Sequence, residues 1–315
     1  MKMASVNQDF LEADQFSRPS RRIQDNLTIA LFLLPAFAFF LVFLVYPILQ
    51  SVYFSLFNWK GFGPAVNFIG LENYSRILND HIFMIALRNG VLIVVLSLAL
   101  QLPLSMALAL MVGRNLPGRV FFRTVFFLPY VFSEVITGII WYSMYRPDAQ
   151  TGFFNALLTL IPGVQAQAFL GNPDTVLACI FVALTWKYFG FHMLLYMAGV
   201  QNISQEIEEA ARIDGANGAQ TLFYITLPLL ASTIRTSVYL SVLGSLQQFG
   251  LVWIMTQGGP VSASETMATY LYRFAFVRFA LGYGSAIAVV MLLICLAFSL
   301  VYQRLVQQPK YLGGI

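Results

Sequence analysis

Six long apolar runs constrain this chain more than any other feature. They cover roughly residues 27–49, 86–112, 120–145, 174–200, 230–256 and 280–303. Each is long enough to cross a hydrocarbon core of about 30 Å as a helix. Lipid offers no partner to a backbone N–H or C=O, so each run must close its hydrogen bonds within itself, as a helix does. The expected fold is all-α, a polytopic membrane bundle of six transmembrane helices. Composition agrees: charged residues are 10% of the chain, against about 25% in a soluble domain. The first run is too long for the apolar stretch of a secretory signal, and no small-residue cleavage site follows it. It is expected to be an uncleaved first span.

Lysine and arginine placement orients the bundle. One side receives Lys2, Arg18, Arg21 and Arg22, the cluster Arg114, Arg119 and Arg123, then Arg212, Arg235, Arg304 and Lys310. The other receives Lys60, Arg76, Arg88, Arg146, Arg273 and Arg278. Both termini are therefore expected in the cytoplasm (N-in, C-in), with tails at 1–26 and 304–315 flanking a transmembrane domain at 27–303. The net charge of +4 is carried by residues at the ends of apolar runs, as in membrane anchoring, and does not point to nucleic acid. Cys179 and Cys295 lie inside apolar runs without metal-ligand spacing. Segment 146–173, punctuated by Pro147, Gly152, Pro162, Gly163, Gly171 and Pro173, reads as an outer loop with a short helix near 152–160.

One segment on the cytoplasmic side, residues 201–229, is polar and patterned. Ser204 suits a helix N-cap, and Glu206, Glu208 and Glu209 fall in the first turns, where the helix dipole favours acids. Gly215 ends or bends that helix. A second short helix is expected from about Ala219 to Ile225, with Pro228 stopping it and starting the next span. The result is a helix–turn–helix at the membrane surface. Its small alanine face permits close approach by a partner, and Glu209 offers that partner a charge. An ordinary amphipathic interfacial helix is the blander alternative.

Glu209-Ala210-Ala211, then Gly215 after three residues, then Ile225-Thr226-Leu227-Pro228 after nine, resembles the EAA loop of bacterial ABC importer permeases without a gap. The resemblance implies that this loop docks into a groove on a cytoplasmic ATPase subunit, with Glu209, Ala210, Ala211, Asp214, Gly215, Ile225, Leu227 and Pro228 as the coupling residues. Further stretches are similar to the carbohydrate-uptake branch of that family. They include Asn67-Phe68-Ile69-Gly70-Leu71-Glu72-Asn73-Tyr74, Gly258-Gly259-Pro260, Glu265-Thr266, Tyr270 and Tyr272-Arg273, with Pro35 and Tyr46-Pro47 in the first span. The implied protein is the permease subunit of a sugar importer in a bacterial inner membrane. Its implied partners are a second homologous permease, two ATPase subunits and an extracytoplasmic solute-binding protein.

The chain has no Gly-x-x-x-x-Gly-Lys-[Ser/Thr] phosphate loop. ATP and Mg would accordingly be bound by partner subunits, with no cofactor in this chain and no enzymatic step of its own. Polar groups inside spans are costly and call for a reason. Lys187 lies near the middle of the fourth run. It either faces a water-filled pathway, where it would bind an anionic or hydroxyl-rich solute, or forms a structural ion pair with Glu134. Ser241, Ser245 and Gln248 recur on one helical face, with Gln247 on a neighbouring face. Tyr188, Phe191 and Trp253 offer aromatic faces for sugar C–H surfaces. Helix–helix packing would also explain the serines and glutamines, and His192 reads as packing or polar lining. The pathway candidates are Lys187, Tyr188, Phe191, Ser241, Ser245 and Gln248. Two rival functions are an ion-coupled secondary transporter, using Lys187, Glu134 and His192 as a relay, and a permease for a non-sugar solute. A membrane-embedded enzyme would need a catalytic cluster, and none is visible.

Overall fold

The structure, a computed structural model, describes residues 18–112 and 118–306. Arg114, Lys2, Lys310 and most of both expected tails lie outside the described residues.

Among the described residues five helices are long and apolar enough to cross a membrane, or six if one sharply bent pair counts as a single span. The first is α1, Thr28–Phe54. The contacts set Met1–Phe54 apart as one unit and Ser55–Ile315 as another. In the second unit α2 (Glu72–Leu78) precedes the long α3 (His81–Val112). The pair α4 (Arg119–Val131) and α5 (Glu134–Met144) comes next, then the short α6 (Phe153–Leu158) and α7 (Val176–Gln201). The surface helices α8 (Gln205–Ile213) and α9 (Gly218–Thr221) follow. The last group is α10 (Ala231–Leu246), α11 (Gly250–Thr256), α12 (Met267–Tyr272) and α13 (Leu281–Val306).

The third expected span is not one straight helix. α4 and α5 meet at 96°. Phe132 is extended, and the Ser133 hydroxyl caps α5 by accepting from the Ile136 N–H at 3.2 Å. Pro129 has no N–H to give the last turn of α4. The fifth span is also interrupted, at 247–249, between α10 and α11.

Two of the spans and the segment that follows α9 share a second irregularity. Wide π turns occupy Leu41–Val45, Ser97–Gln101 and Leu222–Thr226. Each is followed two residues later by a proline: Pro47, Pro103 and Pro228. A proline inside a helix clashes with the carbonyl four residues back. In each case the residue before the proline donates one position further back than usual, Tyr46 to Leu41, Leu102 to Ser97 and Leu227 to Leu222. The wider ring makes room for the pyrrolidine without ending the helix. Pro228 therefore does not stop the second short helix, as the sequence suggested. It sits inside a helical turn, Leu227–Leu229.

The core forms where α3 meets the C-terminal helices and where α7 meets its neighbours. Phe83 and Ala86 of α3 pack with Val242, Met267, Tyr270 and Ile287. Trp141 of α5 packs with Ile180 and Leu184 of α7 and with Leu251 and Val252 of α11. α7 lies against α4 at Gly190, where a β-carbon would fall 2.0 Å from the Phe126 carbonyl oxygen. Only glycine permits that approach.

The connecting segments at one end of the bundle are heavily cross-linked. Asn73, buried, donates to the Ser55 carbonyl at 2.8 Å and the Phe57 carbonyl at 3.1 Å. Asp80 caps α3 by accepting from the Ile82 and Phe83 N–H groups, and it also accepts from the Tyr270 and Tyr283 hydroxyls. Burial pushes this carboxyl up, but the four hydrogen bonds outweigh it and hold it below the usual range. Glu265 is fully buried and receives the Arg273 guanidinium at 2.9 Å. Burial still raises its carboxyl, and Arg273 only partly offsets that. Asn89 donates to the carbonyls of Ala263 and Glu265, tying this segment to α3.

Candidate functional site

The main candidate site is a cavity of ≈ 270 Å³ between α3, α4, α7 and α10, reaching the break before α11. α10 presents Ser241 and Ser245, with Gly244 between them, and the break adds Gln248. α7 supplies Tyr188, Phe191 and His192. Five of the six pathway candidates thus line one space, together with His192.

Sequence reasoning missed three further polar lining residues: Ser97 and Gln101 of α3 and Tyr130 of α4. Tyr130 stacks on Phe191 with ring centroids 5.0 Å apart and meets Tyr188 edge-on at 6.1 Å. The cavity therefore has an aromatic wall facing a wall of hydroxyls and amides. Ser97 and Ser245 approach to 3.4 Å across it, and His192 Nδ1 lies 2.8 Å from the Ser237 hydroxyl. The Gln248 side-chain nitrogen is buried with no hydrogen-bond partner, while the Gln248 carbonyl accepts from Thr266 at 2.7 Å. A buried donor without an acceptor costs free energy that a bound acceptor would recover.

Lys187 is placed differently from the other candidates. It is not among the residues lining the cavity. Its ammonium donates to the Phe132 carbonyl at 2.5 Å, the backbone oxygen laid bare where α4 breaks from α5. Glu134 does not make the direct ion pair weighed from the sequence. It accepts the Tyr188 hydroxyl at 2.5 Å, and among the described residues the only ion pair within 4.0 Å is that of Glu265 with Arg273. Trp253 packs on Phe249 and Tyr272 instead of the cavity, and Gln247 is exposed beside Cys295.

A second candidate surface is the segment between α7 and α10. Ser204 caps α8, accepting from the Glu206 N–H. The helix ends on Gly215 at φ +87°, with Gly215 N–H donating to Arg212 and Ala216 N–H to Ala211, a paired closure that glycine favours. Asn217 and Gln220 then start α9 with a reciprocal capping box. Glu209, Ala210, Asp214, Gly215 and Pro228 are exposed. Ala211 is buried, and Ile225 and Leu227 are half-buried. Glu208, which is not among the coupling residues, turns inward and accepts from Thr226 at 3.2 Å, joining α8 to the following helix. Ile213, Phe223 and Tyr224 are its most exposed large apolar residues, at 86, 63 and 79%.

The pattern of binding-protein-dependent transport system inner membrane components matches residues 101–311. The chain belongs to that family. Among its relatives is the Bacillus subtilis protein named "Probable ABC transporter permease protein YurN", 38% identical over 91% of this chain and 98% of its own length. Another is the Streptomyces coelicolor diacetylchitobiose uptake system permease protein NgcF, 34% identical over 90% of this chain and 84% of its own length. The fold is similar to a chain of a bacterial alginate ABC transporter, solved with an alginate pentasaccharide-bound periplasmic protein. The TM-score is 0.81 at 23% identity, over 95% of this chain and all of that one. The family's range begins inside α3, so the cavity and the α8–α9 surface lie almost entirely within it.

Proposed function

We propose that this chain forms half of the translocation pathway of an ATP-driven sugar importer. The cavity carries the reading. Hydroxyls and amides on α3 and α10 face stacked aromatic rings on α4 and α7, and sugars present both hydroxyl edges and C–H faces. The uptake system of NgcF is named for diacetylchitobiose, a saccharide, and that similarity supports the substrate class. A second permease completes the pathway, and an extracytoplasmic binding protein delivers solute to it. Both termini lie in the cytoplasm of a bacterial cell, as the lysine and arginine placement indicates.

The α8–α9 surface docks a cytoplasmic ATPase subunit, which supplies the nucleotide chemistry this chain lacks. Glu209 gives the partner a charge, and Ala210 lets it approach. Ile213, Phe223 and Tyr224 give it apolar area to cover, an exposure that is unfavourable without a partner. The Gly215 closure holds α8 and α9 at a fixed angle, so that a push on α8 reaches α10 through the Leu227–Leu229 turn.

The test is solute-stimulated ATP hydrolysis by the reconstituted complex carrying Glu209→Lys with Gly215→Pro. Proline at 215 removes the N–H given to Arg212 and cannot adopt φ +87°. Loss of stimulation with the permease still folded in the membrane is expected. Unchanged stimulation would mean that the α8–α9 surface is not where the ATPase is coupled.

A further inference from the structure

The sequence leaves open whether the solute is neutral or anionic, and Lys187 is what makes an anion worth considering. The cavity is lined by no Asp, Glu, Lys or Arg. Two charged side chains nevertheless stand close behind its wall, both beside Tyr188. The Lys187 ammonium lies 5.6 Å from the centre of the Tyr188 ring and is bound to the Phe132 carbonyl. The Glu134 carboxylate accepts a hydrogen bond from the Tyr188 hydroxyl at 2.5 Å. No ion pair within 4.0 Å joins the two.

Glu134 is also held from a second side. At Gly250, the first residue of α11, a β-carbon would fall 1.6 Å from its Oε2. One carboxylate oxygen is thus against Tyr188 and the other against the backbone two residues beyond Gln248. This fixes the hydrogen-bonding sense of the cavity. Tyr188 donates to Glu134, so its phenolic oxygen is left as an acceptor. Gln248 holds an unpartnered donor. A polyhydroxy solute can offer both a donor and an acceptor, since each hydroxyl is both. A carboxylate, sulfonate or phosphate only accepts, so it would leave Tyr188 opposed and would find no cation on the lining.

We infer that this half of the cavity selects an uncharged polyhydroxy solute, with Glu134 and Lys187 as positioning residues whose opposite charges cancel behind Tyr188 instead of facing the ligand. The inference rests on the reading of the cavity as the solute pathway. Removing one charge should unmask the other. Glu134→Gln keeps an acceptor for Tyr188 but leaves Lys187 uncompensated, so the variant should gain affinity for anions. Lys187→Met should lose it.

The experiment is saturation-transfer difference NMR on the assembled transporter, using glucose, galactose, maltose and lactose beside glucuronate and galacturonate. Glucose and galactose differ from their uronates only in a carboxylate replacing CH₂OH, so shape is controlled. Gly244→Leu, which obstructs the cavity, should abolish the signal and so places it there. Wild type is expected to favour the neutral sugars by on the order of tenfold or more, since a polar site leaves groups unpaired with the wrong analogue. Glu134→Gln should narrow that ratio and Lys187→Met should widen it. Uronates bound as tightly as the neutral sugars in wild type would overturn the inference and leave a saccharide cavity standing. A wild-type preference that neither variant shifts would overturn the role given to the pair. Signal from none of the six sugars would overturn the pathway reading itself.

Discussion

Gly244 separates the function of the cavity from the stability of the fold. It lies on α10 between the lining residues Ser241 and Ser245, and a β-carbon there meets no atom within 4 Å. Alanine therefore introduces no clash, and in mid-helix it should stabilise the chain by roughly 0.5–1 kcal/mol over glycine. Leucine extends further into the same open space. Each of its four side-chain carbons takes about the room of a water, ~30 Å³ in the liquid. The side chain would then put roughly 120 Å³ of bulk into the space between Ser241 and Ser245. Gly244→Ala should melt at or slightly above the wild-type temperature. Gly244→Leu should melt near it as well, yet lose solute-stimulated ATP hydrolysis and uptake in proteoliposomes. Wild-type transport by a folded Gly244→Leu complex would mean that solute passes elsewhere, and the pathway assignment would be wrong.

Gly190→Ala should behave in the opposite way. Its β-carbon would meet the Phe126 carbonyl oxygen at 2.0 Å and carbon at 2.8 Å, which is backbone and cannot swing aside, so thermal melting should show a loss of about 1–3 kcal/mol or more. Arg273→Met strands the fully buried Glu265 carboxylate. Losing one partner of a buried pair costs about 3–5 kcal/mol, and the 30% exposure of Arg273 argues for the lower end, about 3 kcal/mol. Because burial already raises the Glu265 carboxyl, the defect should shrink as pH falls and the acid takes up its proton. Asp80 has the reverse sign. Its carboxyl is held below 3.8 in the fold, so its contribution is complete above that value and disappears as pH drops through the lower folded value. The stability gap between wild type and Asp80→Asn, followed by melting from about pH 7 to about pH 3, should be constant at first and close at the acid end.

The spans were legible because lipid sets a length that few other environments demand. Their interruptions were not. Val131 and Val135 flank the break at 132–133 with the same apolar character, so a hydropathy reading runs straight through a 96° bend. Pro129 was visible, but proline is tolerated in membrane helices and does not by itself locate a break. On α10 the spacing of Ser241, Ser245 and Gln248 pointed to one face, and all three line the cavity. On α3 the equivalent signal was blurred. Ser97 and Gln101 bound a π turn, where an extra residue shifts every later side chain around the helix. Lys187 shows the opposite difficulty. A lysine within a span is easy to notice, but its partner is a backbone carbonyl bared by a break that the sequence does not disclose. Glu208 and Glu209 are chemically identical neighbours. Which one turns inward depends on Thr226, eighteen positions away.

The two helix breaks beside the cavity bear on how the protein moves. Bending an intact helix means rupturing hydrogen bonds that lipid cannot replace. Here the break between α4 and α5 has Phe132 held by Lys187, and the one between α10 and α11 has Gln248 held by Thr266. Each of those carbonyls is secured by one side chain from another part of the chain. A tilt of α5 or α11 can therefore proceed about joints that already exist, with the penalty for breaking the helix already met in the resting fold. If the cavity is the solute pathway, joints at Phe132 and beside its lining residue Gln248 would let its walls move without breaking a further backbone hydrogen bond.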